Sequence, residues 1–245
     1  MRWKGIVAYD GTELNGWQSQ PEGNTVQDYL EARLAVVFNQ AVRIYGSGRT
    51  DAGVHALAHA FHFDAGWDHS PEALHRALRV GLPRGMLVTY IKQTSNTFHA
   101  RYSAKGKRYT YHLYEGYALP METRFVWSLR SWRLNVDAMR IAANQLIGKN
   151  DFSAFSARGS NHTSENPVKH LWRLDVIRNG ESVKIVSEGS GYLYKMARRL
   201  TGALVTVGIN KLPPEALGQI LKAQKPVNYI MTAPAKGLVL EKVFY

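Results

Sequence analysis

The chain has 245 residues, 45% hydrophobic and 20% charged, with 31 lysines and arginines against 19 aspartates and glutamates, a formal charge of +12. That composition suits a packed soluble protein, and the basic excess suits a polyanionic partner, nucleic acid before an anionic membrane surface. With no cysteine, disulfides, cysteine-ligated metal and a cysteine nucleophile are excluded, and no apolar run reaches the 18 residues of a membrane span.

Taken in chain order, IVAY at 6–9 reads as a strand entering a turn at Asp10-Gly11. From Thr25 the pattern turns helical: Val26, Leu30, Leu34 and Val37 line one face, and Asn24 or Thr25 caps the start. VRIY at 42–45 is a short β-type run. LAHAFHF at 57–63 alternates, placing Leu57, His59, Phe61 and Phe63 on one face of a strand. Ser70-Pro71-Glu72 starts a helix reaching about Leu82, and MLVTYI at 86–91 returns to strand. Ala100 to Gly116 reads as extended chain broken near Lys105-Gly106, which sets a domain boundary: 1–104 and 105–245. The second half repeats the flavour of the first. A helix is expected from Asn135 to Ile147, strands near 171–178 and 182–188, and a helix from Gly191 to Val207. Another helix begins at Pro213, and a last strand spans 237–245. The interleaving lacks a strict βαβ rhythm, so the expected class is α+β: two similar halves, mostly antiparallel sheet, helices packed on one face.

Between the short run and the alternating strand lies GSGRTDAGVHA, residues 46–56. Its glycines allow unusual backbone angles and the close approach of another molecule. A lone carboxylate, Asp51, sits there with Arg49 two positions before it and His55 four after. The plain reading is a turn with a surface ion pair. His55, His59 and His62 crowd HALAHAFH, but the Glu of a helical zinc motif is replaced by Ala56, and no metal site is expected. Neither a carboxylate pair for glycoside hydrolysis nor a G-x-S-x-G nucleophile is selected by spacing.

A mixture suited to RNA stands out. Arg101, Lys105, Lys107 and Arg108 interleave with Tyr102, Tyr109, Tyr111 and Tyr114: cations hold phosphates and aromatic faces stack on bases. A second basic cluster, Lys195, Arg198 and Arg199, lies in YLYKMARRL, where Arg198 and Arg199 are expected to face away from the core. A carboxylate on a glycine loop of a basic, tyrosine-lined protein can act as a nucleophile toward a nucleoside when an arginine keeps it ionised.

GRTDAGVH, residues 48–55, matches the signature of the tRNA pseudouridine synthase A family. YDG at 9–11, GWQSQ at 16–20, TVQ at 25–27, FHARYSA at 98–104 and KRYTY at 107–111 resemble other blocks of that family in order. So do DFSAF at 151–155, YLYKMAR at 192–198 and TAPAKGLVL at 232–240. The resemblance covers essentially the whole chain. It implies a cofactor-free isomerase that turns tRNA uridines into pseudouridines, usually at positions 38, 39 and 40 of the anticodon stem-loop. It also implies two α+β halves around a cleft and a homodimer. By motif, Asp51 resembles the catalytic aspartate, Tyr109 the active-site tyrosine, Arg198 the arginine paired with the carboxylate, and Arg49 the loop arginine that holds the flipped nucleotide. The chain departs from the family at Ala197 of Met-Ala-Arg, at Tyr102, and at Pro167-Val168-Lys169, which bears on the choice of uridine more than on the reaction. Two other classes stay open: an RNA-binding protein or chaperone without catalysis, and a nucleoside hydrolase using Asp51. MRWKGIVAYDG lacks a signal-peptide layout, so the expected compartment is the cytoplasm, or an organelle if a targeting segment has been removed.

Overall fold

The structure, a computed structural model, describes residues 1–157 and 166–245. It separates into two compact units, Met1–Lys105 with Val239–Tyr245, and Gly106–Leu238. The single division expected from sequence leaves the last strand with the second half. The structure pairs it inside the first unit.

In the first unit, β1 (Arg2–Tyr9) lies between β4 (Met86–Thr94) and β3 (His55–Asp64), antiparallel to both. The other edge of β3 is shared. Near its start, His55 and Ala56 run parallel to β10 (Leu238–Phe244), and near its end Phe61–Phe63 pair with β2 (Ile44–Gly46). Covered on both edges and both faces, β3 is buried continuously from His59 to Phe63 rather than alternately. Leu57, expected on the face of Phe61 and Phe63, is 61% exposed. The cause is a register shift between β1 and β3. Val7 faces His59 and Tyr9 faces Ala56, so β3 carries an extra residue there and its side chains change sides.

Helix α1 (Val26–Phe38) starts at Thr25. Of the two expected caps, Asn24 and Thr25, it is Thr25: its hydroxyl accepts the Asp28 amide while the Asp28 carboxylate accepts the Thr25 amide. Helix α2 (Pro71–Arg79) is capped by Ser70 and buries Leu74 and Leu78. It stops short of Leu82 because the chain turns at Gly81, whose φ is +80°, ahead of Pro83. The stretch from Ala100 to Ser103, expected as extended, is a turn.

In the second unit the strand order is β5 (Gly106–Tyr114), β9 (Ser182–Gly189), β8 (Val168–Asn179) and β7 (Gly148–Asp151), all antiparallel, with β6 (Trp127–Ser128) parallel beside β5. The sequence did not announce β7: GKND has no apolar alternation, because an edge strand needs only its backbone to pair. Helix α3 (Val136–Asn144) packs on β8 and on α4 (Met196–Gly208), and α4 on β5; α5 (Ala216–Ala223) follows. Helix α4 begins five residues later than expected, since Lys195 holds a left-handed φ of 56° that no helix interior accepts. The α+β class with mostly antiparallel sheet is what the structure shows.

Candidate active site

Residues 47–54 link β2 to β3 and carry Arg49 and Asp51. Backbone hydrogen bonds hold them at several points. The Ser47 amide donates to Ala60 at 2.8 Å, the Trp17 amide to the Thr50 carbonyl at 3.1 Å, and the Gly53 amide to Leu14 at 3.3 Å. The Val54 amide closes a local turn on the Asp51 carbonyl at 3.1 Å. The bracing segment, residues 11–17, comes closer than side chains permit. A Cβ on Gly11 would stand 2.0 Å from the Val54 carbonyl oxygen, and one on Gly16 2.5 Å from that of Thr50. The Thr50 hydroxyl lies 2.8 Å from Tyr9 Oη, which is 2.9 Å from His59 Nδ1, and the His59 ring stacks on Trp17 at 3.7 Å. Asp51 is half-buried at the surface of this assembly, and Arg49 is exposed.

The histidines therefore serve the fold. His55 Nδ1 accepts the Gly11 amide at 3.0 Å beside the Asp10 carboxylate, and His62 Nδ1 accepts the Ala100 amide at 3.2 Å. Among the described residues, no three histidines, aspartates or glutamates gather where a metal would be held. Burial, and then the positive charge of neighbouring His99 and Arg2, pulls the His62 pKa from 6.5 to about 4. The unfolded chain then binds a proton that the folded one refuses between those values, so stability is full above pH 6.5 and falls on acidification toward 4. We expect about 2 kcal/mol of stability to be lost from this group by pH 5. Denaturant melts at pH 7 and pH 5 check it: His62→Gln should narrow the difference.

Tyr109, Arg198 and their neighbours belong to the second unit. Tyr109 is buried on β5 opposite Ser187. Its ring meets that of Tyr192 edge-on at 4.9 Å, and Tyr192 Oη lies 2.6 Å from Ser187 Oγ. Two strands of chemistry converge on Ala233-Pro234. Arg198 Nε donates to the Ala233 carbonyl at 2.7 Å, the Ala233 amide donates back to the Arg198 carbonyl at 3.2 Å, and Tyr111 Oη donates to Pro234 at 2.7 Å. Burial pushes the Tyr111 hydroxyl far above its ordinary pKa despite the nearby Arg198 charge, so it remains a neutral donor. A small hollow between β5 and α4 is lined by Tyr109, Ser187, Ala197 and Thr201. Arg199 differs from the expectation of an outward face. Its guanidinium turns inward, donates to the Val227 carbonyl at 3.2 Å, and has its pKa lowered by burial.

The cations read as RNA contacts are not equivalent. Arg101 and Lys105 are exposed in the first unit. In the second, Lys107 is half-buried and Arg108 donates to Glu188 at 2.8 Å, a carboxylate that also takes Arg173 and Trp172. Tyr102 and Tyr109, adjacent in the sequence pattern, fall in different units. Pattern reasoning missed Tyr9 and Trp17 as supports of the Asp51 loop, although both stand in blocks of the family resemblance.

The Asp51 carboxylate on a braced glycine loop, in an α+β protein of strong basic excess, fits the class of RNA-modifying enzymes. The family model described as tRNA pseudouridine synthase matches residues 6–103 and 142–245. Among curated proteins, the tRNA pseudouridine synthase A of Thermoanaerobacter sp. (strain X514) is 38% identical over 241 residues, covering 98% of each chain. That of Exiguobacterium sp. (strain ATCC BAA-1283 / AT1b) is 38% identical over 244 residues, covering 100% of this chain and 98% of the relative. One chain of a solved Cbf5-Nop10-Gar1 complex aligns over 82% of this chain and 54% of its own length, at 11% identity and a TM-score of 0.35, too weak a likeness to carry an argument. The chain belongs to the tRNA pseudouridine synthase family.

Proposed function

We propose that the protein isomerises uridine to pseudouridine in tRNA, at positions 38, 39 and 40 of the anticodon stem-loop, with Asp51 as the nucleophile. The observation that carries the reading is the bracing of the Asp51 loop: a surface turn has no need of two glycines admitting a second backbone at van der Waals limit, whereas a carboxylate that must meet a reacting atom needs a fixed origin. The reaction conserves atoms. The N1–C1′ bond breaks, the base turns, C5 bonds to C1′, the C5 proton leaves to solvent and N1 takes one up. Nothing is oxidised, so no redox cofactor is required. Attack by Asp51 at C1′ or at C6 satisfies this balance, and both routes need the same carboxylate. A base inside a stem must first be flipped out, at about a few kcal/mol, and Arg49, exposed beside Asp51, is suited to hold the vacated space or a phosphate. Tyr109 and Arg198 act in the same reaction on this reading, which also takes a homodimer in the cytoplasm as the working state. Family resemblance supports the roles of Tyr109 and Arg198 and the dimer.

The test is incubation with unmodified tRNA transcripts carrying C5-tritiated uridine, followed by mapping of the product. Tritium release with pseudouridine at 38 to 40 is expected. Free uracil would indicate a hydrolase, and binding without release an RNA-binding protein. Sedimentation at assay concentration checks the dimer, which a monomer would refute. Arg198→Lys should lower turnover about a hundredfold while leaving charge unchanged, because an ammonium cannot both reach the Ala233 carbonyl and offer a planar fork to a second acceptor. Near-parental turnover would show that charge alone suffices there.

A further inference from the structure

Tyr102 is 78% exposed, yet its place is held with unusual completeness. Each backbone N–H from His99 to Ser103 has an acceptor in the fold. The His99 amide donates to Ser103 Oγ at 3.0 Å, that of Ala100 to His62 Nδ1 at 3.2 Å, and that of Ser103 to the His99 carbonyl at 2.9 Å. Those of Arg101 and Tyr102 share His99 Nδ1, at 3.1 and 3.3 Å. Tyr245 Oη donates to the Ala100 carbonyl at 2.7 Å. Four rings then pack in sequence. Tyr45 stacks on His62 at 5.1 Å, His62 meets His99 at 4.6 Å, and His99 meets Tyr102 at 4.3 Å, leaving Tyr45 and Tyr102 as the exposed members. Burial, and then the positive charges around each ring, lower both imidazole pKa values, a direction that suits Nδ1 atoms placed to accept.

We infer that Tyr102, on the turn locked by His62, His99 and Tyr245, is a stacking platform for an unpaired nucleobase of the RNA substrate, away from the reacting uridine. The inference rests on the tRNA reading above. A rigid exposed ring flanked by a cation, with the exposed Arg101 guanidinium 6.0 Å from the Tyr102 ring centre, is the combination that takes a base face and its phosphate. Rigidity matters because the turn's ordering cost is met before binding. The Tyr102 turn and the Asp51 loop are held by different groups: the turn by His62, His99, Ser103 and Tyr245, the loop by Trp17, Leu14, Ala60 and Tyr9. The protein's +12 charge favours RNA over a second copy of the chain as occupant.

Two measurements on one tRNA transcript test this: filter binding, and steady-state tritium release, for the parent, Tyr102→Ala and Tyr102→Phe. Removing the ring should raise Kd and KM about tenfold, a loss typical of one base–aromatic stack, with kcat within about twofold because the platform does not touch the reacting uridine. Tyr102→Phe, which keeps the face, should match the parent, and all three should melt together. Unchanged Kd and KM in Tyr102→Ala overturn the inference, as does a Tyr102→Ala variant whose sedimentation changes, which would assign the face to a second copy. If the parent binds tRNA but releases no tritium, the proposed reaction fails while the Kd comparison still judges the platform.

Discussion

Asp51→Asn is expected to leave the fold and tRNA binding in place and to lower turnover about a thousandfold or more, the scale of losing the proposed nucleophile. The change is nearly isosteric. Backbone bonds that the change leaves in place, from Trp17 to Thr50, from Gly53 to Leu14 and from Val54 to Asp51, shape the loop. An amide is a poor nucleophile, and it restores no attack at C1′ or C6. Losing one negative charge from a protein of +12 should tighten RNA binding slightly. Filter binding and tritium release on the same preparation check both halves. Tritium release near the parental rate would return GSGRTDAGVHA to a plain turn. A variant that folds, binds and stays silent would sink the reading as a binding protein, since the parent's activity would then depend on one carboxylate.

Gly16→Ala should act on the same loop without touching its chemistry. Gly16 has a φ of +82°, a region that costs alanine about 1 kcal/mol or more. Its Cβ would also meet the Thr50 carbonyl oxygen at 2.5 Å and the Asp51 carbonyl carbon at 3.0 Å. Both contacts are with backbone, which cannot rotate away, so the Trp17–Thr50 hydrogen bond must lengthen and the loop must shift. We expect a destabilisation of about 2–4 kcal/mol, the range of backbone strain added to overpacking. Turnover should fall about a hundredfold, as a displacement of about 1 Å at a reacting group produces. Gly66→Ala, where nothing lies within 4 Å of the added carbon, is the control and should keep parental stability and turnover. Denaturant melts and tritium release measure the two effects. A Gly16→Ala variant with parental turnover would mean that the Asp51 loop is positioned by contacts other than segment 11–17.

Local chemistry made much of this protein legible in its sequence. Thr25 caps α1, Ser70 and Pro71 start α2, and the Asp51 loop announces itself by glycines that no helix or strand would keep. In each case the partners are neighbours in the chain, so spacing alone specifies the contact. What escaped was decided by partners far away. An extra residue in β3, visible only against β1, turned Leu57 outward. Residues 100–103 form a turn because His62, thirty-eight residues from Ala100, accepts its amide. Val239 and Leu240 belong to the first unit because they pair with His55 and Ala56. Arg199 looks solvated beside Arg198, yet it turns inward to the carbonyl of Val227. Sequence periodicity records which faces are apolar, but a backbone amide or carbonyl looks the same in every residue. Which distant group satisfies it is set only when the chain is packed.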